Sequence, residues 1–128
     1  MKQIENIEDI QLLVDTFYTK IREENELGQI FNDRIEDRWP QHLEKMVRFW
    51  QTVLLDEHTY YGSPFMPHAN LPVDAHHFDR WVELFNETVD SLFFGEKAER
   101  AKWQGNRMAV MFNAKINYYR DHNSTPLA

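Results

Sequence analysis

At 128 residues the chain is long enough for one domain with a real core. Its 14 Lys and Arg stand against 21 Asp and Glu, and the resulting net charge of −7 repels phosphate backbones and anionic lipid surfaces, so neither nucleic acid nor a membrane is an expected partner. There is no cysteine, which removes disulfides, thiolate nucleophiles, iron–sulfur clusters and any other thiolate-held cofactor; a bound metal would have to be carried by His or carboxylate.

The opening stretch from Met1 to Asn6 has no apolar signal core, and no run approaches the ~18 apolar residues of a membrane span, so a cytoplasmic protein is expected. Asn6 is placed to cap a first helix in which Ile10, Val14, Phe17 and Ile21 recur at helical spacing, with Tyr18 one step round from that face. Leu27-Gly28-Gln29-Ile30-Phe31 reads as a helix end followed by a tight, aromatic-bearing corner, the glycine supplying the turn. A second helix is predicted from Trp39-Pro40, with proline in its first turn, to Leu55. Trp39, His42, Met46, Phe49 and Val53 form one apolar stripe on it, and Leu43, Val47, Trp50 and Leu54 form the adjoining one. A face that broad implies packing on two sides, with His42 in its middle.

Beyond an irregular segment, a third helix is predicted from about Pro72 to Phe94. Phe78, Trp81, Val82, Phe85, Val89, Leu92 and Phe93 lie on its inner side, and Asp79, Glu83, Glu87 and Asp90 face outward. The fourth, from about Glu96 to Tyr119, carries Ala101, Gly105, Met108, Phe112 and Tyr119 on one flank, Gly105 permitting a close helix contact. No credible strand pair is present, so the fold class is all-α: one domain over 1–128, with frayed ends at 1–5 and 121–128.

The irregular segment holds the residue that most needs explaining. Pro64, Pro67 and Pro72 allow no more than one short helical turn around His68, because each lacks an N–H and clashes with the preceding turn. His68 is then either a loop histidine bonded to a carbonyl or an imidazole aimed, with Phe65, Met66 and Leu71, at something flat and apolar. Tyr18, His42 and Trp81 pose a related question, being polar-tipped residues on or beside apolar faces of three different helices. Buried polar tips need partners, either one another and backbone carbonyls or a small polar ligand in an apolar pocket.

Other chemistries lack their parts. No His has a Glu three residues before it, as a di-iron carboxylate bundle requires, and there is no H-E-x-x-H, no G-x-S-x-G and no phosphate-cradling glycine run. His76-His77 with Asp79 offers metal-ligand atoms, but adjacent residues on a helix diverge by ~100°, so these are read as helix-start surface residues.

In order and spacing, five pieces together resemble the group III truncated haemoglobins, bacterial globins with a shortened two-over-two helical sandwich. They are Phe17-Tyr18-x-Lys20-Ile21-Arg22, Leu27-Gly28-Gln29-Ile30-Phe31, and Trp39-x-x-His42-x-x-Lys45 with Phe49-Trp50. Tyr61-Gly62-x-Pro64 leading to His68-x-x-Leu71-Pro72, and Phe78-x-x-Trp81-x-x-Leu84-Phe85, complete the set. The likeness covers nearly the whole chain.

The resemblance implies haem b, with His68 as the proximal iron ligand and Tyr18, His42 and Trp81 as the distal trio. By the same analogy Phe31 would pack on the macrocycle near the helix corner, Met46 and Phe49 are expected to bind the cofactor, and Lys45, one turn beyond His42, is placed to reach a propionate with its head in water. O2, NO or CO would be the small ligands, held at ferrous iron. Hydrogen bonds from Tyr18 and Trp81 would slow oxygen release, which suits nitric oxide dioxygenation or peroxide chemistry supported by an external reductase better than bulk oxygen transport. The expected state is a monomer. The rival expectation is a haem-free globin-like sensor or interaction module, since fold alone does not choose a chemistry.

Overall fold

The structure, a computed structural model, describes residues 1–62 and 71–121. Among these, five helices follow one another: α1 (Ile7–Glu23), α2 (Asn25–Ile35), α3 (Trp39–Leu55), α4 (Ala75–Leu92) and α5 (Glu96–Asp121). The described residues contain no strand beyond a lone bridge between Lys2 and Phe93. Packing runs α1 on α3, α4 on α5, then α1 on α4 and α3 on α5, which makes two helices lie over two.

Each boundary has a local cause. Asn6 caps α1 by accepting the Asp9 N–H on Oδ1 at 3.1 Å. Pro40 sits in the first turn of α3, where its missing N–H costs nothing, and Asp56 in the left-handed region closes that helix. Asp74 opens α4 as half of a capping box in which its own N–H donates to His77 Nδ1 at 2.9 Å. The inner faces follow the predicted stripes: Phe17, Ile21, Phe85 and Val89 are fully enclosed, while Asp79, Glu83, Glu87 and Asp90 are exposed.

Two expectations need correction. Leu27-Gly28 does not end a helix. The break falls at Glu24, in extended conformation, and Leu27 to Phe31 lie inside α2. Gly28 is needed for space, not for a turn: a Cβ there would lie 2.6 Å from the Arg22 carbonyl oxygen, so the glycine lets α2 start tight against the end of α1. Residues 1–5 are docked, not frayed. Ile4 is buried, Phe94 N–H donates to Lys2 O at 3.0 Å, and Lys2 Nζ pairs with Asp9 at 3.2 Å. Burial works to raise the Asp9 pKa, but hydrogen bonds from the Glu5 and Asn6 backbone and from Lys2, with the lysine's charge, outweigh it and hold the carboxyl below its usual value. Of the expected frayed end at 121–128, Asp121 is the last residue of α5 and 122–128 lie outside the described residues.

Gly105 performs the close contact foreseen for it. A Cβ there would come within 2.9 Å of the Phe85 ring and 3.4 Å of Trp81, so α5 approaches α4 closely enough to press on those two rings.

Candidate functional site

A cavity of about 320 Å³ opens between the two helix layers, within the range of small-molecule sites. One wall is a lattice of rings. Phe17 meets Tyr18, Trp81 and Phe85 edge to face at 5.0, 5.1 and 5.1 Å between centroids. Phe85 in turn stacks between Trp81 at 5.2 Å and Trp50 at 5.1 Å. Tyr18 meets His42 edge to face at 5.1 Å, and Trp39 meets His42 at 5.5 Å. These distances match the preferred T-shaped and offset arrangements, so each ring limits the tilt of the next. Phe17, wholly buried, is the hub that ties α1 to α4.

Tyr18, His42 and Trp81 therefore come from α1, α3 and α4 onto the lining of one cavity, joined there by Phe31, Lys45, Met46 and Phe49. His42 Nε2 is buried. Burial pushes the Tyr18 phenol well above the usual tyrosine range, so its O–H is a permanent donor at physiological pH. His68, expected across from these residues, lies outside the described residues. The chain-neighbouring Leu71 and Val73 do line the cavity, together with Met108, Ala109 and Phe112 of α5 on the same lining.

Among the polar lining residues, Arg34, Arg38 and Tyr60 were not singled out from sequence, and His77 was read there as a helix-start surface residue. Arg34 and Arg38 are exposed, as is Lys45, so the cavity has an apolar body and a rim carrying cations. Arg38 also donates from Nε to Ile35 O at 3.2 Å and from Nη2 to Arg34 O at 2.6 Å, closing the C-terminal end of α2. The signal in the sequence was the four-residue spacing of the arginines around the α2–α3 corner. Tyr60 is placed by its ring against Phe49 at 5.3 Å, a contact between α3 and the segment after it that spacing does not reveal.

Beside the cavity, which His77 alone of this group lines, α4 meets the start of α2 through polar contacts. Glu24 pairs with Arg80 at 3.2 Å, and Glu26 Oε2 lies 3.0 Å from His76 Nε2 and 3.1 Å from His77 Nε2, the two imidazoles 3.9 Å apart and tilted by 37°. The neighbours on α4 thus converge on one carboxylate in spite of their divergent positions. Because His77 Nδ1 accepts the Asp74 N–H, the neutral ring carries its proton on Nε2, 3.1 Å from Glu26 Oε2. A cation taking that nitrogen would force an Nδ1–H against the Asp74 N–H. The trio therefore works as a polar clamp from α2 to α4, hydrogen-bonded through His76.

A bacterial-like globin family model matches residues 3–114. The group 3 truncated hemoglobin ctb of Campylobacter jejuni is 31% identical over 121 residues, covering 91% of this chain and 95% of that protein. A crystal structure of group III truncated hemoglobin from Campylobacter jejuni superposes with a TM-score of 0.82 at 31% identity, covering 91% of this chain and 95% of that one. The chain belongs to the bacterial-like globins, within the group III truncated haemoglobins. As such it is a haem-binding, oxygen-binding globin, and no helix among the described residues is long and apolar enough to cross a membrane.

The residues present suit a haem. An apolar slot with aromatic walls accepts a flat macrocycle, and exposed Arg34, Arg38 and Lys45 at its rim suit two carboxylates that stay in water.

Proposed function

We propose that this globin holds haem b through His68 and uses Tyr18, His42 and Trp81 to retain a diatomic ligand, in the service of nitric oxide detoxification or peroxide chemistry with an external reductase in the cytoplasm. The observation that carries the reading is the convergence of three polar-tipped rings, from three helices, on one wall of an apolar cavity. Haem, when bound, would supply an iron that takes O2, NO or CO as ligand.

The chain's own residues do the rest. Tyr18, kept protonated by burial, and Trp81, through its indole N–H, would donate hydrogen bonds to a bound diatomic ligand. His42 sits against Tyr18 and Trp39, where it serves as a further donor or as a gate from the rim. Phe31, Met46 and Phe49 exclude water and pack on the macrocycle, and Lys45 attends a propionate. Two donors in an apolar pocket slow oxygen escape, which favours reaction over delivery.

The visible spectrum of the purified protein tests this. A Soret band that shifts with carbon monoxide after reduction is expected, and His68→Ala should abolish stable ferrous ligation. A colourless protein that refuses haemin would sink the reading. Turnover of nitric oxide with oxygen in the presence of a reductase separates dioxygenation from the peroxide alternative.

A further inference from the structure

Among the described residues, the outer face of α5 is a large apolar feature that neither the core nor the cavity uses. Trp103, Val110, Met111 and Tyr118 are 58%, 70%, 40% and 55% exposed. With exposed Arg100, Arg107, Ala114 and Asp121 they fall within about 100° of arc at ~100° per residue. The opposite side of the helix is the buried one, formed by Ala98, Ala101, Gly105, Ala109, Phe112 and Ile116. Arg107 lays its guanidinium over the Trp103 ring at 5.3 Å, which keeps the indole spread on the surface.

We propose that this face joins two copies of the chain through α5, antiparallel, about a two-fold axis between Val110 and Met111. The register argues for it. That axis sets Trp103 against Tyr118 of the second copy, Val110 against Met111, and the long Arg107 against the small Ala114. It also sets Arg100 against Asp121, so two opposite-charge pairs close the ends of the seam. Nowhere between 100 and 121 does the axis bring like charges together. A parallel pairing would do the reverse, stacking Arg100 on Arg100 and Arg107 on Arg107, and so is disfavoured. The seam spans about 33 Å of helix, and a one-helix contact belongs among small interfaces, under about 1,200 Å², so the dimer is weak and concentration-dependent. It replaces the monomer expected from sequence.

Sedimentation velocity of the haem-loaded full chain, from micromolar to millimolar protein, tests the proposal. A monomer–dimer equilibrium is expected. Val110→Glu, at an open surface position, should abolish association with unchanged circular dichroism. Arg100→Glu and Asp121→Arg should each weaken the dimer at least several-fold, and the two together should restore it. A monomer at every concentration, or a dimer indifferent to Val110→Glu, overturns the interface. Single charge reversals that the double variant fails to rescue overturn the antiparallel register.

Discussion

The ring wall of the cavity and the polar seam beside it are held in place by different physics. The ring wall around Phe17 positions Tyr18, His42 and Trp81 by shape, each aromatic limiting its neighbour. The α2–α4 edge is positioned by charge, through Glu24 with Arg80 and Glu26 with His76 and His77. Shape persists through changes of salt and pH, whereas exposed ion pairs are screened and contribute little each. The donors that the proposed chemistry depends on stand on the wall, and salt acts on the charges outside it, at this seam and at the rim of Arg34, Arg38 and Lys45.

Breaking the hub should cost most. Phe17→Ala removes the contact shared by Tyr18, Trp81 and Phe85, and a loss of about 3–5 kcal/mol is expected by chemical denaturation of the haem-loaded protein. Gly105→Ala drives a methyl into Phe85 and toward Trp81, and should destabilise by about 1–3 kcal/mol while changing the near-ultraviolet signature of the indoles. Tyr18→Phe keeps the wall's shape and deletes a donor, and Trp81→Phe deletes a donor while trimming the wall by part of one indole. Each is expected to accelerate oxygen dissociation, by about 5- to 150-fold for a bond worth about 1–3 kcal/mol, and unchanged rates in both variants would remove the distal assignment.

The pH response sharpens the contrast. The Tyr18 pKa is raised by burial, so the folded state holds its proton where the unfolded chain, titrating near 10.0, releases it. Its contribution to stability is thus complete below pH 10 and is lost as pH rises beyond. Oxygen release should accordingly show no Tyr18 titration between pH 6 and 9, checked by stopped-flow. Smallest of all, Glu24→Gln at the edge should change stability by less than about 1 kcal/mol, and that change should fade in high salt.

Much of this arrangement was legible in the residues. Asn6, the Trp39-Pro40 start and the two stripes of α3 announced their helices, since capping chemistry and periodicity are local properties. Helix α2 was misread because Gly28 looks like punctuation, and only the Arg22 carbonyl, brought near by tertiary packing, explains why a glycine stands inside a helix. Tyr18, His42 and Trp81 stood out as polar tips on apolar faces, while their convergence came from the family likeness. Arg34 and Arg38 carry no such signal, and His77 reads as a helix-start surface residue, because polar residues on helix surfaces are common and nothing local says which of them face a cavity. The His76–His77 pair shows the same limit, since its partner Glu26 is fifty residues away.

The placement of the four tryptophans makes the molecule its own optical sensor. Trp39 and Trp50 are enclosed and Trp81 is wedged against Phe85 and Phe17, whereas Trp103 stands in solvent on α5. Its indole should emit at longer wavelength than the others and be quenched first by acrylamide, so red-edge excitation would isolate a fluorophore reporting whether that surface is wet or covered.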